Sequence, residues 1–158
     1  MYGIVAKNEK DYKKAIEMFN QVEQLSTNFA INYLYLAETY YQMGDYSWSN
    51  SSIEKYIQLC PKDDWGYYVM YRNHLMRKDY NIAKSSLIKA MRINNCIDYR
   101  IYLAELESLL KNHQGAIEAL CSIPNKNGEI LNELGINYLA IENYKKGIDV
   151  DDNNIYLD

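Results

Sequence analysis

The chain repeats one pattern of apolar and polar positions five times. KDYKKAIEMF from Lys10, GDYSWSNSSI from Gly44, KDYNIAKSSL from Lys78, KNHQGAIEAL from Lys111 and ENYKKGI from Glu142 align without gaps. In each, an aromatic or histidine (Tyr12, Tyr46, Tyr80, His113, Tyr144) is followed three residues later by a small residue (Ala15, Ser49, Ala83, Ala116, Gly147). That spacing puts both on one side of a helix, and the small residue marks where a neighbouring helix must come close. An Asp or Asn (Asp11, Asp45, Asp79, Asn112, Asn143) stands just before each aromatic or histidine. There its short side chain accepts from a first-turn N–H that has no partner inside the helix. Gly44 is suited to the positive φ that ends a helix, and Pro61 cannot continue the helix it follows. The pattern predicts an all-α chain of helical hairpins.

The aromatic or histidine positions are separated by 34, 34, 33 and 31 residues, and a period of about 34 is that of tetratricopeptide repeats. The residues agree, so the chain resembles the tetratricopeptide family over nearly its full length. Tyr33, Leu36, Ala37 and Tyr40 match the family's first helix, with Tyr46, Ser49, Ile53 and Tyr56 on the second and Pro61 at its end. Tyr67, Met70, Tyr80, Ala83, Leu87 and Ala90 repeat the pattern, as do Leu134, Gly135 and Tyr138. The fourth copy keeps Leu103 and Ala104 but has Glu107 where an aromatic is usual, and Pro124 comes early. The resemblance implies a right-handed α-solenoid of antiparallel helix pairs, a tetratricopeptide-like superhelix of about four and a half repeats. It would form a single domain over residues 1–158, with repeats at 1–29 (partial), 30–63, 64–96, 97–127 and 128–158 (irregular). Because MYGIVA opens the chain abruptly and DVDDNNIYLD follows Ile148 with charges and turn-formers, the expectation is a piece of a longer array.

Composition narrows the function classes. Seventeen Lys and Arg against 21 Asp and Glu give a net charge of −4, which disfavours nucleic-acid and membrane-surface partners. Cys60, Cys96 and Cys121 are odd in number and not closely paired, as befits reduced thiols in a cytoplasmic protein. No apolar run approaches the length of a membrane helix. Asp149, Asp151 and Asn153 imitate the start of a calcium loop but lack its glycine and its final glutamate. His74 and His113 are read as structural, since neither has a companion at helical spacing. No nucleophile motif or phosphate loop is present, so the expectation is a protein that is not an enzyme and needs no metal or cofactor.

In tetratricopeptide arrays the first helices of successive hairpins line a concave groove that binds peptides or helices. Carried over by register, that groove would hold Leu34, Glu38 and Tyr41, then Trp65, Tyr68, Arg72 and Leu75, then Ile101, Glu105 and Ser108. Part of this stripe, Trp65 and Leu34 above all, also suits packing between repeats. Leu34, Glu38 and Val69 stand where the family's carboxylate clamp needs amide or cationic donors, so an acidic chaperone tail is not the expected ligand. A partly apolar peptide or helix with a basic residue for Glu38 or Glu105 fits better. The reading is a non-catalytic scaffold for a protein or peptide partner, able also to form a homo-oligomer. Its alternative is the sensor or regulatory part of a larger enzyme or transcription regulator.

Overall fold

Residues 11–141 are described by the computed structural model, and they contain eight helices and no strand. These are α1 (Tyr12–Leu25), α2 (Ala30–Gln42), α3 (Tyr46–Leu59), α4 (Asp64–Met76), α5 (Tyr80–Ile93), α6 (Ile97–Leu109), α7 (His113–Cys121) and α8 (Gly128–Ala140). The readings placed on MYGIVA, Lys10, Glu142, Asn143, Tyr144, Gly147, Ile148, Asp149, Asp151 and Asn153 lie outside the described residues. The chain divides between Asn94 and Asn95 into two compact units. In the first, α1 to α5 each pack on the next; in the second, α6 packs on α7 and α7 on α8.

The helix starts follow from capping. Asp11 accepts from the Lys14 N–H, Asp45 from Trp48 and Asn112 from Gly115, each at 3.3 Å. Asp63 and Asn127 do the same for α4 and α8, at 3.1 Å from Trp65 N and 3.0 Å from Ile130 N. Asp79 departs from the expected role, for its side chain makes no cap bond. Its Oδ2 lies 3.0 Å from Arg77 Nε and 3.3 Å from His74 Nδ1, and a charge-assisted bond to a guanidinium outcompetes a neutral backbone N–H.

The turns inside the hairpins are one structure used three times. Gly44 has φ 79°, and at the same place Lys78 and Lys111 have φ 63° and 60°. The next residue donates its N–H back across the turn, Asp45 to Tyr40 O at 2.9 Å, Asp79 to His74 O at 2.9 Å and Asn112 to Glu107 O at 2.8 Å. Only Gly44 announced this turn in the sequence. A left-handed residue with a Cβ costs roughly 1 kcal/mol, and the recovered backbone hydrogen bonds offset it at the two lysines.

Ala15, Ser49, Ala83 and Ala116 have no exposed surface at all. Tyr12, Tyr46, Tyr80 and His113 are only half-buried, so the small residue and not the aromatic sits at the helix–helix contact. Around the small residues, Phe19, Tyr33, Leu36, Ile53, Tyr56 and Val69 fill the first unit. Ile117, Leu120, Ile123, Ile130, Leu134 and Tyr138 fill the second. The repeat tyrosines divide accordingly, with Tyr33, Tyr56 and Tyr138 buried and Tyr40 and Tyr67 half-buried. At Gly66 a Cβ would lie 2.8 Å from Ile57 Cγ1 and 3.1 Å from Tyr56 Cδ1, so α4 seats on α3 with its backbone.

A buried polar chain ties α3 to α4. Ser49 Oγ donates to Ala37 O at 2.7 Å and accepts from Asn73 Nδ2 at 2.9 Å. Asn73 Nδ2 also donates to Asn50 Oδ1 at 2.8 Å, and Asn50 Nδ2 faces His74 Nε2 at 3.1 Å. His74 Nε2 must therefore accept, which leaves the proton on Nδ1, directed at Asp79. In the second unit Asn137 Oδ1 receives Ser108 Oγ and His113 Nδ1, both at 2.9 Å. Among the described residues no buried side-chain polar atom is left without a partner, as a stable interior requires.

Two outcomes follow for a thermal or urea melt. Ala83→Leu overpacks the contact at α5 and costs about 1–3 kcal/mol; an unchanged midpoint contradicts the register. Asn73→Ala removes the donor to Ser49 Oγ and leaves Asn50 Oδ1 without its partner, and costs about 1–3 kcal/mol, whereas the exposed Asn81→Ala changes stability by less than about 0.5 kcal/mol.

Candidate functional site

Each unit carries its own part of the expected stripe. In the first, turns of α2 and α4 bring Glu38, Tyr41, Gln42, Val69 and Arg72 around a small cavity of about 120 Å³. The Arg72 guanidinium lies 4.3 Å from the Tyr41 ring centre and 5.8 Å from that of Tyr68. Tyr68 packs on Trp65 with centroids 5.1 Å apart, and Tyr41 meets Tyr46 edge-on at 5.4 Å. Arg72 is thus held by cation–π contact, worth about 1 kcal/mol at a partly exposed site, while its planar fork keeps donors for carboxylate or carbonyl oxygens. Trp65 remains 40% exposed and offers a broad apolar surface beside it. Leu34 and Leu75 do not line this cavity. Both are half-buried, and Leu34 packs against the core of its unit.

In the second unit Ile101 and Glu105 line a larger cavity of about 350 Å³ with Ala104, Leu120, Asn127, Glu129, Ile130, Asn132 and Glu133. Ser108 is committed elsewhere, to Asn137. The α8 residues of this site were missed by the sequence reading, although the fifth copy's Leu134, Gly135 and Tyr138 fix the register that would have carried the stripe onto α8. Glu105 is exposed by surface area, yet the apolar wall beside it withdraws its carboxyl partly from water and lifts it above the ordinary carboxylate range, and the charge of Glu133 lifts it further. Among the described residues, none of Glu105, Glu129 and Glu133 is paired with a Lys, Arg or His.

With this geometry in view, comparison with known proteins bears on the fold. No protein-family profile matches the sequence, and neither does any curated protein. Solved structures do match. MamA superposes with a TM-score of 0.81 at 20% identity, over 99% of this chain and 92% of that one. The C-terminal part of a tetratricopeptide repeat-containing protein from Cytophaga hutchinsonii gives 0.75 at 19% identity, over 98% and 64%. The chain has the tetratricopeptide fold. A chain in the structure of Naa15/Naa10 bound to HypK-THB also matches, at 0.74 and 13% identity over 99% of this chain and 25% of that one. At such identities the likeness is one of tetratricopeptide architecture and not of ligand.

Among the described residues, no group of three or more His, Cys, Asp or Glu side chains is placed to hold a metal ion, and no helix is long and apolar enough to cross a membrane. His74 and His113 are engaged in the buried polar contacts already described.

The raised Glu105 pKa has a definite sign. Its protonated form is favoured in the folded chain, so its stabilising contribution is complete below the ordinary value of 4.5 and is lost as pH rises through the higher folded value. Glu105→Gln removes that loss. The variant is expected to melt higher than the parent at neutral pH by less than about 1 kcal/mol, solvent screening keeping the effect small. The gain shrinks as pH falls below the ordinary carboxylate range, and an equal or larger gain at low pH contradicts the assignment.

Proposed function

We propose that this chain is a non-catalytic interaction scaffold that holds a peptide or helix of a partner protein on the first-helix faces of its hairpins. The tetratricopeptide fold, shared with MamA and with a chain of the Naa15/Naa10 assembly, suggests a protein-interaction role. The observation that carries the finer reading is the Arg72 cluster. A guanidinium seated between Tyr41 and Tyr68, beside a partly exposed Trp65, is the combination of residue types that dominates binding hot spots. Aromatic side chains with few rotatable bonds lose little entropy on contact, and a prepositioned Arg loses less than a free one.

The groove residues in this reading are Leu34, Glu38, Tyr41, Trp65, Tyr68, Arg72 and Leu75 in the first unit and Ile101, Glu105 and Ser108 in the second. Ser108 and Leu34 act mainly by shaping the wall, since the first is bonded to Asn137 and the second packs on the core. The half-buried histidines serve the architecture, which supports a binding role over a catalytic one.

The test is affinity capture with the intact chain, followed by measured affinity for the captured protein. Tyr68→Ala combined with Arg72→Ala is expected to weaken binding by about tenfold or more with circular dichroism unchanged. Undiminished capture by a folded double variant counts against this face.

A further inference from the structure

The two units differ in what they offer a ligand. In the first unit the cavity wall carries a cation on an aromatic shelf. In the second it has an apolar floor, made by Ile101, Ala104, Leu120 and Ile130, under three carboxylates, Glu105, Glu129 and Glu133. We infer that the α6–α8 cavity is a docking site for a polypeptide segment that places an Arg or Lys beside a Leu-like or Ile-like side chain. This rests on the scaffold reading and specifies the partner chemistry for one site.

Three observations converge on that occupant. The cavity, about 350 Å³, has the size of small ligand pockets and accommodates one large aliphatic side chain with its neighbour. Its floor is built from core residues, since Ala104, Leu120 and Ile130 are all buried parts of the same apolar cluster. An aliphatic group entering it extends that cluster and leaves water. Glu133 acts on Glu105 as a like charge, and among the described residues none of Glu105, Glu129 and Glu133 has a cationic partner. A guanidinium or ammonium relieves the repulsion, and an acidic segment would add to it. The chain's own residues after 141 hold Lys145 and Lys146 against Glu142, Asp149, Asp151, Asp152 and Asp158. On charge they are a poorer occupant than a basic segment.

The experiment uses the intact chain and three labelled peptides of about eight residues, a length that an extended segment needs to cross two helices. One carries two arginines flanking two leucines, the second has glutamates for the arginines, and the third has glycines for the leucines. Fluorescence anisotropy gives affinity, and amide NMR shifts locate the site. The expected result is binding of the arginine–leucine peptide with shifts at Ile101, Glu105, Ile130 and Glu133, weakened about tenfold by Glu105→Gln with Glu133→Gln. The glutamate and glycine peptides are expected to bind more weakly than the first. Both substitutions are at exposed positions, and the single Glu129→Gln variant gives a second reading of charge dependence. Equal binding of the glutamate peptide, or an affinity indifferent to the glutamine variants, overturns the inference of a basic partner while leaving the scaffold reading in place. Absence of any shift in the cavity with all three peptides overturns it also. Loss of the scaffold reading shows separately, in an intact chain that retains no protein partner in affinity capture.

Discussion

The structure depends on how closely helices approach at four small residues. Ala15, Ser49, Ala83 and Ala116 are wholly enclosed, and a larger side chain at any of them separates the helices and opens gaps in the core on both sides. Separation would also part the ends of hydrogen bonds that tolerate only a few tenths of an ångström. Ser49 shows the two requirements in one residue, small enough for the contact and able to donate to Ala37 O while accepting from Asn73. Apolar burial supplies the non-directional attraction between hairpins. The polar links fix which turn of one helix faces which turn of the next, because a shift by one residue would leave Asn73 buried without partners.

The parts legible in the sequence were those that a single residue type must perform. A small side chain at a close contact, an Asp or Asn before a first turn and a Gly at positive φ are each nearly obligatory, and they returned at one period. Less was legible where several residue types can satisfy one demand. Lys78 and Lys111 take the turn conformation that Gly44 announces, because the hydrogen bonds across the turn outweigh the strain. Asp79 looks like its capping counterparts but turns to Arg77 and His74, a choice decided by a neighbour two residues back and by one on the previous turn. Glu107, which breaks the aromatic pattern, is buried with its Oε2 accepting from Asn112 Nδ2 at 2.8 Å. Asn112 already caps α7, and so one amide serves two tasks that no linear pattern displays.

Site residues were less legible than fold residues for the same reason. Helical spacing sets which side chains share a face, and it places Glu38, Tyr41 and Arg72 around one cavity with Tyr68 beside Arg72, and Ile101 and Glu105 on another. It did not distinguish a side chain that remains available from one already engaged. Leu34 lies against the core, and Ser108 gives its hydroxyl hydrogen to Asn137. Availability depends on a partner from a different repeat, here Asn137, lying 29 residues further along the chain than Ser108. The α8 acids escaped notice because charge on a helix is ordinarily a solvated face, and only the apolar floor beside them changes what they mean.

That floor also changes what two neighbouring carboxylates cost. Were Glu105 and Glu133 fully in water, their repulsion would be screened to little, and their identity would matter to neither stability nor ligand choice. Beside Ile101, Ala104 and Ile130 the Glu105 carboxylate is partly withdrawn from water, so its charged form is less favourable than on an open helix. The inferred docking site would therefore discriminate by sign. In the inferred docking site a cation would offset both the lost hydration and the repulsion, whereas a neutral aliphatic ligand would exclude more water from carboxylates that remain uncompensated. Apolar burial and charge are coupled there, and a segment that supplies only one of them meets the cost of the other.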